Sequence, residues 1–281
     1  MRQLTIFISA VFFLFSCTPA TVEPNPVGSQ VYTNVDYGSH PQQKMDIYLP
    51  PGRSLNKTKT IVVIHGGGWT GGDKAEMSPV VDSLKKRMPD YAFINLNYRL
   101  AVNNSINVFP AQENDIKAAI EFYQSKSAEY KISKDIVVLG GSAGGHLSLL
   151  HSYKNDPGKH VKAVVDFFGP TDLPAAWNEG LIQQIVLISA IGKTYPQDPA
   201  IYIQSSPVNF ITTQSPPTIA LQGGADFIVT PAQTNILINK LNSFGVTNQL
   251  VFYPSDGHGF SATNSIDAYN KIQAFISANV R

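Results

Sequence analysis

An α/β architecture, a mostly parallel central sheet with helices on both faces, is what this sequence predicts, and three observations carry it. Short apolar runs alternate with longer segments of helical period along the chain. The runs are dense in β-branched and aromatic residues, as in strands covered on both faces. A chain of 281 residues with 43% apolar content can bury one large core.

Taken in order, "KMDIYL" alternates Met45, Ile47 and Leu49 with polar residues and reads as a strand with one wet face near a sheet edge. "TIVVIH", "YAFINLN", "DIVVLG", "KAVVDFF" and "PTIALQ" read as interior strands, and "QLVFYP" closes the series. Helices are expected from Pro79 to Met88 behind a Ser78 cap, from Ala111 to about Ser127, from Ser142 to His151, from Thr230 to Phe244, and from about Ser265 onward. Such alternation means right-handed crossovers between parallel strands. From Gly169 to about Phe210 a long Pro- and Gly-punctuated segment with an apolar centre, "LIQQIVLISAIG", replaces the expected helix. A structureless loop of that length is unusual, so a small lid over residues 170–210 is expected. No internal repeat or second domain boundary is legible.

The N-terminus opens with a single positive charge at Arg2 and the apolar run "LTIFISAVFFLF", short of the roughly 20 residues that span a bilayer. "LFSC" follows, with Ser16 before Cys17, the one cysteine of the chain. This resembles a bacterial lipoprotein signal, although Phe15 is bulkier than the usual residue there. The resemblance implies a signal peptide over residues 1–16, lipidation of Cys17, a flexible tether over 17–30 and a globular domain over 31–281, in an exported protein held at the cell envelope by its lipid. A plain signal peptide, or an ordinary thiol at Cys17, is the alternative. A formal net charge of +1 with 15% charged residues shows no basic stripe, which argues against a nucleic-acid partner. Composition does not set an oligomeric state.

Two glycine clusters carry the chemistry. Gly140-Gly141-Ser142-Ala143-Gly144 is a G-x-S-x-G pattern between a strand and a helix, where a sharp turn exposes the serine hydroxyl at a helix N-terminus. A phosphate loop is the competing reading, but His146 stands where such a loop needs lysine. In "IHGGGWTGGDK", Gly66, Gly68 and Gly71 also fit a dinucleotide fingerprint. Against that, the next helix starts only near Ser78, and the next strand ends in Asn97 where a ribose-binding acid is needed.

His65-Gly66-Gly67-Gly68-Trp69, "NYRLA", "FPAQENDIKAAIEF", the serine turn and "FFGPTDL" together resemble the esterase/lipase branch of the α/β-hydrolases. The likeness is to bacterial feruloyl and acetyl-xylan esterase-like proteins, from about Val31 to the C-terminus. It implies the α/β-hydrolase fold with a small lid insertion, and an oxyanion hole from the amides of Gly67, Gly68 and Ala143. It implies that His65 braces the loop.

A serine nucleophile needs a base, and six histidines are available. His40 lies in a turn before a strand and His160 in a polar loop, while the helix after Ser142 should carry His146 and His151 away under the sheet or to its surface. His258, on a glycine-flanked loop after the last strand, fits the chain order serine, acid, histidine of this fold. Asp226, after "TIALQGGA", is the expected acid; Asp256, two residues from His258, reads as a turn residue and Asp115 as packing or a cap. No H-E-x-x-H or other metal-ligand spacing occurs, so neither metal nor cofactor is expected. The expectation is a serine hydrolase cleaving carboxylic esters through an acyl-enzyme, with short acyl groups on a small alcohol or glycan. A peptidase or formamidase would use the same residues, and a non-catalytic binding module would leave them idle. Trp69 and Trp177 are candidates to stack on a sugar ring, with plain packing as the alternative.

Overall fold

Runs of Val, Ile and Leu with no polar face can only be covered on both sides, and they form the middle of an eight-stranded sheet. In this computed structural model, residues 27–280 are described. Residues 1–16, Cys17 and most of the tether therefore lie outside the described residues. The strands are β1 (Gln30–Asp36), β2 (Lys44–Leu49), β3 (Thr60–Ile64), β4 (Ala92–Leu96), β5 (Ile136–Gly141), β6 (Val161–Phe167), β7 (Thr218–Gly223) and β8 (Asn248–Tyr253). Their order is β1-β2-β4-β3-β5-β6-β7-β8, parallel from β4 to β8 with β1 and β2 antiparallel at one end.

The helices are α1 (Ser78–Arg87), α2 (Ala111–Ser125), α3 (Ser127–Tyr130), α4 (Ala143–Lys154), α5 (Leu173–Trp177), α6 (Leu181–Ile191), α7 (Pro199–Gln204), α8 (Pro231–Ser243) and α9 (Ala262–Asn279). Two cores form, one on each face. Ile116, Ile120, Leu147, Leu150, Leu237 and Leu241 pack α2, α4 and α8 on one side, and Val81, Leu84, Ile272 and Ile276 pack α1 and α9 on the other. The segment between β6 and β7 folds as α5, α6, α7 and a 3-10 turn over Pro207–Phe210, each helix short and separated by Gly, Pro or Asp.

Several boundaries and faces differ from the sequence reading. The sheet edge is β1, exposed along its length, and β2 has no wet face. Asp46, which alternation places in water, is buried in an ion pair with Lys74 Nζ at 2.8 Å. A polar residue in an alternating strand faces inward when a partner can reach it. Ser78 is not the N-cap of α1 but its first residue; Asp73 instead caps the preceding 3-10 turn, Lys74–Met77, by accepting from the Ala75 amide at 2.8 Å. Ser261, not the neighbourhood of Ser265, starts α9, accepting from the Asn264 amide at 3.3 Å.

The α4 helix begins at Ala143, and its closeness to the sheet answers the glycine cluster. A methyl on Gly144 would collide with the Ile64 and His65 carbonyl oxygens, and one on Gly140 with the Gly144 carbonyl. Gly145 likewise makes room for the buried Asp166 carboxyl, which accepts from the Gly169 amide at 2.9 Å. Gly144→Ala is expected to destabilise the fold by about 2 kcal/mol or more, as overpacking against rigid backbone does. Gly141→Ala, which meets only ordinary contacts with Phe167 and Phe168, should cost much less. Urea unfolding of the two variants measures the difference.

Burial pushes the Asp166 carboxyl from 3.8 up to about 8. Its raised value means the folded chain keeps a proton that the unfolded chain releases, so stability is full below about 3.8 and is lost as pH rises toward 8. The unfolding midpoint of the wild type relative to Asp166→Asn, a neutral side chain of the same shape, should therefore fall as pH rises from 4 to 8.

Candidate active site

Ser142 sits in the turn between β5 and α4 with φ +54°, a left-handed backbone that a side chain rarely adopts. The strain, of order 1–3 kcal/mol, persists because both sides of the residue are fixed. Its amide donates to the Phe167 carbonyl at 2.8 Å and its carbonyl accepts from the His146 amide at 3.0 Å. The hydroxyl is thereby held above the carboxyl end of the sheet at the start of a twelve-residue helix.

His258 arrives on the loop after β8. A carboxylate can only accept, so His258 Nδ1 donates to Asp226 Oδ2 at 2.7 Å, which leaves Nε2 to accept from Ser142 Oγ at 2.9 Å. Asp226, on the loop after β7, has no exposed side-chain surface. Its other oxygen accepts from the Ile228 and Val229 amides at 2.9 and 3.0 Å, and Gln222 Nε2 lies 3.4 Å from Oδ2. Gln222 is itself buried, its carbonyl oxygen accepting from Thr234 Oγ1 at 2.7 Å. The two loops are tied directly: the Ala225 amide donates to the Asp256 carbonyl at 2.9 Å, and the Gly224 amide to that of Tyr253 at 2.8 Å. The structure therefore brings Ser142, Asp226 and His258 together.

The loop after β3 supplies the fourth part. The Gly71 and Thr70 amides donate to the Gly67 carbonyl at 2.9 and 3.1 Å, closing a turn in which Gly67, Gly68 and Trp69 have φ of +98°, +58° and +62°. Gly67, Gly68 and Ala143 line the cavity with Ser142 and His258, and none of their amides donates to another described residue. His65 stacks on Tyr98 at 4.3 Å with its Nδ1 2.7 Å from the Gly66 carbonyl oxygen, and burial lowers its pKa. It braces this loop.

The remaining candidates lie elsewhere. His40 accepts from the Gln42 amide and His160 lies 3.4 Å from Asp135. Of the two places expected for His146 and His151, under the sheet or at its surface, both take the buried one, and desolvation pushes them down to about 4. Ten of the twelve residues of α4 are buried, and both histidines are among them. Asp256 accepts from Asn264 Nδ2 at 2.8 Å and stabilises its turn. Asp115 is neither a cap nor simple packing: it accepts from Gln43 and from the Arg99 guanidinium, joining α2 to the segment after β4. Neither tryptophan offers a ring to a sugar. Trp69 is 3% exposed and edge-on to His146, and Trp177 packs edge-on against Tyr202 outside the cavity lining.

The cavity over Ser142 has a volume of about 880 Å³. Met77, Val80, Phe168, Phe260 and Tyr269 form one wall, and Ala176, Glu179, Val186, Leu187 and Ile228 the other. Sequence reasoning placed none of these at the cavity one by one, although Phe168 lies in "FFGPTDL" and Val186 and Leu187 in the expected lid. The Phe168 ring lies 4.6 Å from that of His258, held by a φ of +44° for which nothing in the sequence gave notice. Among the described residues there is no group of three or more His, Cys, Asp or Glu that could hold a metal ion.

An alcohol hydrogen-bonded to an imidazole that a carboxylate orients can lose its proton as it attacks a carbonyl, and free amides nearby can hold the resulting oxyanion. Known proteins of similar sequence or fold include several esterases. A probable carboxylic ester hydrolase of Mycobacterium tuberculosis, LipM, is 28% identical over 84% of this chain and 57% of its own length. Esterase LipC of the same organism is 24% identical over 80% of the chain and 58% of its own. The chain thus spans well under two thirds of these relatives. Among solved structures, a truncated carbohydrate esterase from gut microbiota has a TM-score of 0.72 and 27% identity, covering 87% of this chain and 96% of that one. A bifunctional GH43-CE protein of Bacteroides eggerthii has a TM-score of 0.77 and 25% identity, covering 89% and 38%. The fold is that of the α/β-hydrolases. A BD-FAE family model matches residues 45–241, from β2 into α8, and the chain belongs to the BD-FAE family.

Proposed function

We propose that this chain is a serine esterase that cleaves short acyl groups from small alcohols or carbohydrates. The observation that carries the reading is the unbroken relay Asp226–His258–Ser142, at 2.7 and 2.9 Å, on the floor of a cavity beside three unpartnered amides. Ser142 Oγ attacks the ester carbonyl while His258 Nε2 takes its proton, and the amides of Gly67, Gly68 and Ala143 receive the oxyanion. His258 then protonates the departing alcohol, leaving an acyl group on Ser142. Water, deprotonated by the same imidazole, releases the acid. Asp226 keeps the ring in the one tautomer and orientation that serve both steps and stabilises the transient imidazolium. Likeness to a carbohydrate esterase supports a glycan ester as substrate. The charged start, apolar run and Ser16-Cys17 sequence support export and a lipid anchor on Cys17.

Ser142→Ala should abolish labelling by a fluorophosphonate probe and lower p-nitrophenyl acetate hydrolysis by at least about 10³-fold; an unlabelled but correctly folded wild type would instead favour a binding module. Asp226→Asn should leave the fold intact and lower kcat by about 10³- to 10⁴-fold, the range for a triad whose histidine is held in the wrong tautomer. Rates on acetylated xylan, feruloyl esters and p-nitrophenyl esters of rising chain length define the acyl and alcohol groups. For the anchor, incorporation of a palmitate analogue in a bacterial host should disappear in Cys17→Ser.

A further inference from the structure

His146 is a fully buried titratable group that the relay does not use, and its two nitrogens join three separate parts of the site. Nε2 lies 2.7 Å from the Ser205 carbonyl oxygen, which can only accept, so the ring proton is there. Nδ1 is left as an acceptor, and the Trp69 indole N–H, which can only donate, points at it from 3.3 Å. The indole also stands edge-on to the imidazole, with ring centres 5.0 Å apart and planes at 90°. Phe109 closes a further side at 5.6 Å. Burial pushes the imidazole down to about 4, so at neutral pH the ring carries the single proton this pattern needs.

Two of the three parts border the oxyanion position, and the third, at Ser205, is the anchor that His146 holds. Ser205 ends α7, the last α-helix of the insertion, and His146 stands on α4, four residues beyond Ser142. Trp69 directly follows Gly67 and Gly68 and is itself held at φ +62°, where a tryptophan is strained. A strained conformation of this kind persists only if surrounding contacts over-determine it. For Trp69 they are the His146 hydrogen bond at the indole and the Ala101 amide, which donates to the Trp69 carbonyl at 2.9 Å.

We propose that His146 is a positioning residue for the oxyanion loop: by accepting from Trp69 while donating to Ser205, it fixes the Gly67 and Gly68 amides relative to Ser142. The inference rests on the esterase reading above and adds a residue to it. His146 touches no reacting atom. Its effect is confined to where the two amides stand when negative charge develops. A shift of about 1 Å in such donors is enough to cost around 100-fold in rate.

The test is a double-mutant cycle of Trp69→Phe and His146→Leu, read by steady-state hydrolysis of p-nitrophenyl acetate and by the affinity of a boronic acid that mimics the tetrahedral intermediate. Trp69→Phe keeps the aromatic bulk and removes only the N–H. Each variant is expected to lose about 10- to 100-fold in kcat with KM within about 3-fold of wild type, and boronate affinity should fall in parallel. The double variant should be within about 3-fold of the worse single one, because both break the same link. His146→Gln, which offers an acceptor and a donor, should recover most of the loss. Losses that multiply in the double variant, or changes confined to KM, overturn the proposal. If His146→Leu does not fold, Trp69→Phe decides alone: a kcat loss with unchanged KM and unfolding midpoint supports the role, and wild-type kcat removes it. A wild type that hydrolyses the ester while the cycle is additive refutes this role only, whereas a wild type without Ser142-dependent hydrolysis refutes the esterase reading and this role with it.

Discussion

The approach of α4 to β3 is the constraint on which the site depends. Only glycine at 144 lets the helix come against the Ile64 and His65 carbonyls. That contact brings the loop leaving β3 beside the turn leaving β5, so Gly66 lies against Gly141 and Ser142. The strained serine backbone, the free amide of Ala143 and the positive-φ run at Gly67–Trp69 are thus parts of one packing solution. Ten residues of α4 are buried, and this burial offsets local strain of a few kcal/mol.

A second constraint holds the other half. A carboxylate with no exposed side-chain surface must be met by donors, or its desolvation would outweigh what it contributes. Asp226 meets this condition through two backbone amides on one oxygen and His258 on the other. The Ile228 and Val229 amides come from its own loop, so the loop wraps around its acid and the acid in turn fixes the loop. Backbone bonds from Gly224 and Ala225 to the following loop then set where His258 can stand. Imidazole, hydroxyl and carboxylate meet because two pairs of neighbouring strands end at the same edge of the sheet.

Much of this was legible in the sequence, for reasons that can be named. Dense Val and Ile runs such as "TIVVIH" have no other stable environment than a doubly covered strand. The glycines around Ser142 and the late His258 are forced by backbone geometry and chain order, both of which leave marks on residue type. What stayed hidden depends on pairing across the fold. Asp46 reads as a wet residue until Lys74, twenty-eight positions on, is seen to reach it. His146 reads as a helix passenger until Trp69 and Ser205 converge on it. The left-handed turn at Phe168 and the start of α9 at Ser261 are decided by neighbours that no local pattern encodes.

The cavity walls separate two kinds of requirement. One wall belongs to α1, α9 and the residues after β6, continuous with the core on that face of the sheet. The other comes mainly from the insertion between β6 and β7, which packs on the opposite core, with Ile228 of the acid loop completing it. The insertion is not loosely attached. Glu179 accepts from Thr230 Oγ1 at 3.0 Å and from Gln233 Nε2 at 2.6 Å, and Gln233 accepts in turn from the Thr171 and Asp172 amides. Gln183 donates to the carbonyls of Phe227 and Ile228, on the loop that carries Asp226. One wall is therefore braced against the acid loop without contributing to the relay itself. Side chains such as Val186 and Ile185 can change the shape of the cavity while the hydrogen bonds at Ser142, His258 and Asp226 keep their geometry, so the form of the cavity and the arrangement of reacting groups are separable.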